Sequence, residues 1–263
     1  MTDSSPVLAS APGDCCLKGF VHLGEPKGDI IKIAGLDTYR ARPESLSDEN
    51  RIVMYFPDVW GINGSFQFNG KLLMDYFASQ GFLVLGVDYF QGDYVQNHRK
   101  HRDDTTTDPG FDYEAWKAKH MAFAIEHVPI WMDAVVKEYG REDTKYAVVG
   151  YCFGAPFVMN ALAGSLASVG AFGHPAFLNE SHFEKCAKPL FLSCAETDHT
   201  FPEAARHRAE EILKTNKRVY HFQLFSGVEH GFALRGNMDE PYERWVKEES
   251  AAGIVRWFKF FLK

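Results

Sequence analysis

The stretch Tyr146-Ala147-Val148-Val149-Gly150-Tyr151-Cys152-Phe153-Gly154 decides the fold. An apolar, β-forming run enters Gly150 directly, and a helical pattern begins near Gly154 and continues to about Leu166. Cys152 therefore falls on the turn between a strand and a helix. Such a turn needs small residues on both sides, because strand and helix pass closely there. It is expected to lift the cysteine above the sheet edge and to aim the N–H of Phe153 at a developing oxyanion. The helix start adds a dipole that favours a thiolate. Taken alone, Gly-x-Cys-x-Gly is a weak signal, since most buried cysteines are inert. Its weight comes from where the glycines fall, at the end of a β run and the beginning of a helix.

Working outward, strands and helices alternate nearly throughout. Ile30–Ile33 and Thr38–Ala41 read as a hairpin, and Arg51–Phe56 as a buried strand closed by Pro57-Asp58. Residues 65–80 read as a helix ended by Gly81, followed by a strand over Phe82–Val87. A long loop from about residue 89 to 112 precedes a helix over Tyr113–Tyr139 that stops at Gly140. Beyond the central turn, strands are expected at Val169–Phe172, Leu190–Ser193 and Val219–Phe225, with helices over Glu203–Lys214 and Tyr242–Leu262. This is the pattern of an α/β protein with a mostly parallel twisted sheet and helices on both faces. Neither repeat nor linker is visible, so residues 1–263 read as one domain, with residues 1–20 a loose lead-in.

Two further residues complete a chemical constellation. Asp198 follows the strand Leu190–Ser193, and His230 follows the last strand. Nucleophile, acid and histidine thus come in the order an α/β-hydrolase requires, each at a C-terminal strand end. Separately, Asp198 would read as a helix cap and His230 as a loop histidine; agreement in type, order and placement points to a Cys152–His230–Asp198 triad. The first strand end, Pro57-Asp58-Val59-Trp60-Gly61, is the natural source of a second oxyanion donor, the N–H of Val59.

Composition excludes other classes. Of 263 residues, 46% are hydrophobic and 24% charged, enough for a substantial core without disulfides or metals. The net charge of −7 argues against a nucleic-acid partner. The basic run His98–Arg102 is followed at once by Asp103-Asp104 and reads as a solvated loop. The five cysteines, at 15, 16, 152, 186 and 194, fit neither a disulfide framework nor zinc spacing. With no secretory leader pattern, they suggest a reducing, cytoplasmic setting. The most apolar stretch, Tyr146–Leu178, is broken by glycines, Pro156 and His174-Pro175 and makes a poor membrane span. No phosphate loop, dinucleotide fingerprint or metal cluster is present, so neither cofactor nor metal is expected.

Together, Asp58-Val59-Trp60-Gly61-Ile62-Asn63, Gly150-Tyr151-Cys152-Phe153-Gly154, Asp198 and His230-Gly231-Phe232-Ala233 resemble the dienelactone hydrolase family of α/β-hydrolases. The resemblance runs from about residue 28 to the C-terminus, and Cys15-Cys16-x-x-Gly looks like fungal members. It implies a carboxymethylenebutenolidase-like opening of lactone rings through an acyl-enzyme on Cys152, with His230 as base and Asp198 orienting it. The family's thiol-gating glutamate corresponds here to Asp58, one methylene shorter. The match loosens at the carboxylate-binding arginines. Leu234 stands at one of these positions with Arg235 next to it. The other falls near Pro109, ahead of Tyr113-Glu114-Ala115-Trp116. Trp60, Tyr113, Trp116 and Arg235 are therefore the candidate substrate contacts, for a larger or less acidic ester, lactone or thioester. Three readings follow. The first is a cysteine hydrolase of lactones or activated esters, acting as a monomer or homodimer. The second is a thioesterase or a biosynthetic lactonase, cyclase or isomerase on a polyketide-like substrate. The third is a non-catalytic ligand-binding protein.

Overall fold

The computed structural model describes residues 4–13, 19–20, 22–45, 50–62, 68–98 and 107–263. Cys15, Cys16, Asn63 and Arg99–Asp104 lie outside the described residues. In chain order the elements are β1 (Val7–Ala9), β2 (Asp29–Ile33), β3 (Leu36–Ala41), β4 (Arg51–Phe56), α1 (Asn69–Ser79) and β5 (Leu83–Val87). Then come α2 (Tyr113–Tyr139), β6 (Lys145–Tyr151), α3 (Ala155–Ala163), β7 (Ala167–Gly173), β8 (Leu178–Asn179) and α4 (Glu180–Lys185). The chain closes with β9 (Leu190–Thr197), α5 (Glu203–Thr215), β10 (Tyr220–Glu229), α6 (Phe232–Arg235) and α7 (Pro241–Phe261). These elements fall into two compact units, Val21–Thr144 and Met1–Phe20 with Lys145–Lys263.

In the Val21–Thr144 unit the expected hairpin is present, β2 pairing antiparallel with β3 across Ala34-Gly35. β3 pairs antiparallel with β5, and β5 pairs parallel with β4. Val53, Met54, Tyr55 and Phe56 of β4 are fully buried, as an apolar run without alternation predicts for a strand covered on both faces. Gly81 follows α1 with φ +91°, the left-handed conformation that lets a helix stop and the chain turn into β5. Asp112 caps α2, its carboxylate accepting from Ala115 N at 2.9 Å. Part of the expected long loop is ordered as a 3-10 turn at Val95–His98.

In the other unit β6, β7, β9 and β10 lie side by side, all parallel. Their C-terminal ends therefore share one edge of this sheet. α3 packs on β6 and β7, while α7 packs on β7, β9 and β10. Within the expected lead-in, Val7–Ala9 forms a strand antiparallel to β8, with Leu8 and Ala9 buried. Ser10 then donates its N–H to Thr200 O at 2.8 Å and accepts from Phe177 N at 3.0 Å. Three residues carry too little periodicity to announce a strand, and this one is defined only by its distant partner. α4 is similarly short. It is fixed by a capping box in which Asn179 Oδ1 accepts from His182 N and His182 Nδ1 accepts from Asn179 N.

Candidate active site

Cys152 occupies the turn after β6 with φ +48°, fully buried, as the first residue of a 3-10 turn that continues into α3. Non-glycine residues rarely adopt this conformation, and the surroundings must enforce it. The enforcement is visible at Gly150, where a Cβ would stand 2.6 Å from Gly154 O and 2.8 Å from Val158 Cγ2. Only glycine lets β6 and the start of α3 pass that closely. Cys152 O accepts from Ala176 N at 3.0 Å, which ties the loop after β7 to the turn. Phe153 follows within the same turn, its ring edge-on to Phe177 at 5.5 Å.

Asp198 and His230 lie just beyond β9 and β10, both buried. His230 Nδ1 is 2.9 Å from Asp198 Oδ1. The same carboxylate oxygen accepts from Thr200 N at 2.9 Å, Thr200 Oγ1 at 2.7 Å and Phe201 N at 3.1 Å. Burial pushes the Asp198 carboxyl pKa up. The positive field of His230 and the hydrogen bonds from His230, Thr200 and Phe201 outweigh it and hold the group below its ordinary value. Asp198 is thus both the turn-stabilising acceptor that its place before α5 suggests and the partner of a histidine. A carboxylate fixed in this way sets the tautomer, keeping the proton on Nδ1 and leaving Nε2 the basic nitrogen.

A third group around His230 has no signal in the residue pattern. His174 follows β7 with φ +36°, is fully exposure-free, and sits edge-to-face with His230 at a ring separation of 4.8 Å. Neither ring nitrogen has a hydrogen-bond partner among the described residues. Burial, with the nearby charges of His230 and Arg235, pushes its pKa well below the ordinary 6.5, so it stays neutral. His199 stands on the exposed side, its ring 5.0 Å from that of His230. His174-Pro175 reads in sequence as a break in an apolar run, and only the strand order places it between Cys152 and Asp198 along the edge.

The remaining expected residues fall in both units. Arg235 ends α6 in the same unit as His230 and is buried; both line a cavity of about 270 Å³ with Phe20, Glu229 and Glu243. Gly231, with φ +98°, makes room for that guanidinium, since a Cβ there would lie 2.5 Å from it. Asp58, Val59 and Trp60 belong to the Val21–Thr144 unit, just past β4. Asp58 Oδ1 accepts from Trp60 N at 3.1 Å and Asp58 O accepts from Gly61 N at 2.9 Å, a turn-forming role. Tyr113 and Trp116 occupy the first turn of α2, where the Trp116 indole N–H donates to Asp93 O and its ring stacks on Phe90 at 5.1 Å. Trp116 is in this way committed to the packing of its own unit.

Residues 36–262 match the family model described as "Dienelactone hydrolase family". The chain belongs to the dienelactone hydrolase family. It is 41% identical over 261 residues to dienlactone hydrolase 1 of Gibberella moniliformis, covering 98% of this chain and 97% of the relative. It is 32% identical to hydrolase pyvD of Aspergillus violaceofuscus over 96% of this chain and 98% of the relative. Among solved structures, a dienelactone hydrolase-like promiscuous phosphotriesterase from metagenomic libraries superposes with a TM-score of 0.60 at 14% identity, over 89% of this chain and 98% of that one. The family and the mostly parallel strand pairing make this dienelactone hydrolase-family chain a hydrolase with the α/β-hydrolase fold. No helix among the described residues is long and apolar enough to cross a membrane.

Proposed function

We propose that this family member is a cysteine-dependent hydrolase that opens a lactone or cleaves an activated ester through an acyl-enzyme on Cys152. The observation that carries the reading is the buried His230 Nδ1–Asp198 Oδ1 bond of 2.9 Å, on the sheet edge where Cys152 is held at positive φ. His230 Nε2 takes the thiol proton, and the thiolate attacks the carbonyl carbon. The N–H of Phe153 receives the oxyanion, a donor worth roughly 3–4 kcal/mol in such sites. For Val59 as second donor, and for Asp58, Trp60, Tyr113 and Trp116 as gating or substrate contacts, sequence position is the support. The leaving oxygen departs with the proton from His230. Water deprotonated by His230 then cleaves the thioester. Enol lactones and aryl esters suit a thiolate because their leaving groups are good. Cytoplasmic residence in a reducing compartment accords with a working thiol.

The substrate is a small molecule. Arg235, buried beside His230, is the candidate cation for an acidic substituent, displaced by one residue from the family's position. The shift favours a larger or less acidic lactone, ester or thioester. A biosynthetic isomerase or cyclase using the same residues differs in its product, since hydrolysis incorporates one solvent oxygen. The direct test compares a dienelactone and an aryl ester with the native chain and Cys152→Ala. Loss of both activities in the variant is expected. Unchanged turnover in Cys152→Ala would overturn the proposal.

A further inference from the structure

We infer that Asp198, His199 and His230 form a binding site for Zn²⁺ that switches the hydrolase off by taking the catalytic histidine. The inhibitory consequence rests on the triad proposed above; the metal site itself does not. One donor atom from each of the three residues lies within 4.8 Å of the others. Donors at Zn–N and Zn–O lengths of about 2.1 Å sit roughly 3.4 Å apart in a tetrahedron. A closure of up to about 1.4 Å is therefore required, and His199 is the residue placed to supply it, being exposed on the loop between β9 and α5. Two imidazoles and a carboxylate are the donor set that Zn²⁺ favours over Mg²⁺ or Ca²⁺.

A second observation points the same way. Asp198 Oδ1 already accepts from Thr200 N, Phe201 N and His230 Nδ1, and the Thr200 hydroxyl, 2.7 Å away, shares its proton between this oxygen and Pro175 O. Asp198 Oδ2, on a side chain 2% exposed, has no hydrogen-bond partner among the described residues. A buried carboxylate oxygen without a donor is costly to keep, and a cation satisfies it. On the His199 side, His199, Thr200 and Pro202 line a surface cavity of about 400 Å³ with Val7 and Leu8. The fourth coordination position is left to water.

Both possible modes of His230 ligation disable the base. If the metal takes Nδ1, the single ring proton moves by way of solvent from Nδ1 to Nε2, the nitrogen that would have to accept the thiol proton. If the metal takes Nε2, the lone pair that would accept that proton is occupied. In neither case does a redox step or covalent bond to carbon occur, and a chelator reverses the change. His199 is the one ligand of the three that lies outside the proposed triad, so it is the one to substitute. His199→Phe also keeps a ring against His230.

The experiment has two arms. In the first, Co²⁺, a spectroscopic stand-in for Zn²⁺, is titrated into Cys152→Ser and Cys152→Ser/His199→Phe, which excludes the Cys152 thiolate as a ligand. One equivalent with d–d bands, no sulfur charge-transfer band, and loss of that binding in the double variant are expected. In the second, ester hydrolysis by the native chain is measured against added Zn²⁺, with and without a chelator. Inhibition reversed by the chelator is expected, and His199→Phe keeps metal-free activity but needs at least about tenfold more Zn²⁺. Even an outer-shell partner is commonly worth that much. Metal binding that persists in the double variant, or Zn²⁺ inhibition indifferent to His199→Phe, would overturn the inference. A native chain without hydrolase activity whose Co²⁺ binding still depends on His199 would leave the metal site standing and refute the triad reading.

Discussion

At the scale of residues, His230 is defined by what surrounds it. Asp198 fixes its Nδ1, and the neutral His174 packs against its ring without adding charge. Asp198→Asn should preserve the fold and lower kcat by roughly 10³–10⁴-fold, because an amide can donate to Nδ1 and favour the wrong tautomer. Steady-state kinetics with a thermal melt as control checks this. Because the folded-state pKa of Asp198 is depressed, its contribution to stability is present above the ordinary 3.8 and lost as pH falls through the folded value. His174 has the same sign at higher pH. Its depressed pKa means that the unfolded chain binds the extra proton below about 6.5, so stability falls from there downward. The slope from this one group approaches about 1.4 kcal/mol per pH unit. Denaturant unfolding of the metal-free protein between pH 7 and 5 should therefore be flatter for His174→Phe than for the native chain. Equal slopes would contradict a buried neutral imidazole.

At the scale of elements, the Cys152 turn depends on a close passage between β6 and α3. Gly150→Ala places a methyl 2.6 Å from Gly154 O, against backbone that cannot yield cheaply. A loss of roughly 1–3 kcal/mol or more is expected, read as a lower Tm together with lost activity. The same junction shows why much of the fold was legible. Arg51–Phe56 and Tyr113–Tyr139 were read to their ends, since the first is a continuous apolar run closed by Pro57 and the second is capped by Asp112 and stopped at Gly140. Boundaries drifted where tertiary pairing rather than local pattern sets the end. β9 runs on to Thr197 because Glu229 of β10 pairs with it, and α3 stops at Ala163, short of Leu166. The placement of Cys152, Asp198 and His230 after strands was legible because each follows an apolar β run. His174 and His199 were not, because their proximity to His230 arises from the parallel neighbours β7, β9 and β10 rather than from spacing along the chain.

At the scale of the molecule, the unit that carries Cys152, Asp198 and His230 is closed by its own N-terminal strand. Ser10 bonds through its backbone to both Phe177 and Thr200, in the loops after β7 and β9. Removing residues 1–10 should lower Tm and reduce activity together, whereas an unaffected melt would show that β1 is dispensable. The central claim is a covalent one, and rapid-quench intact-mass spectrometry with an aryl ester tests it most directly. A transient acyl adduct on the native chain, mapped by peptide digestion to Cys152 and absent from Cys152→Ala, is the predicted result. Hydrolysis by the native chain with no adduct at Cys152, or undiminished in Cys152→Ala, would contradict it.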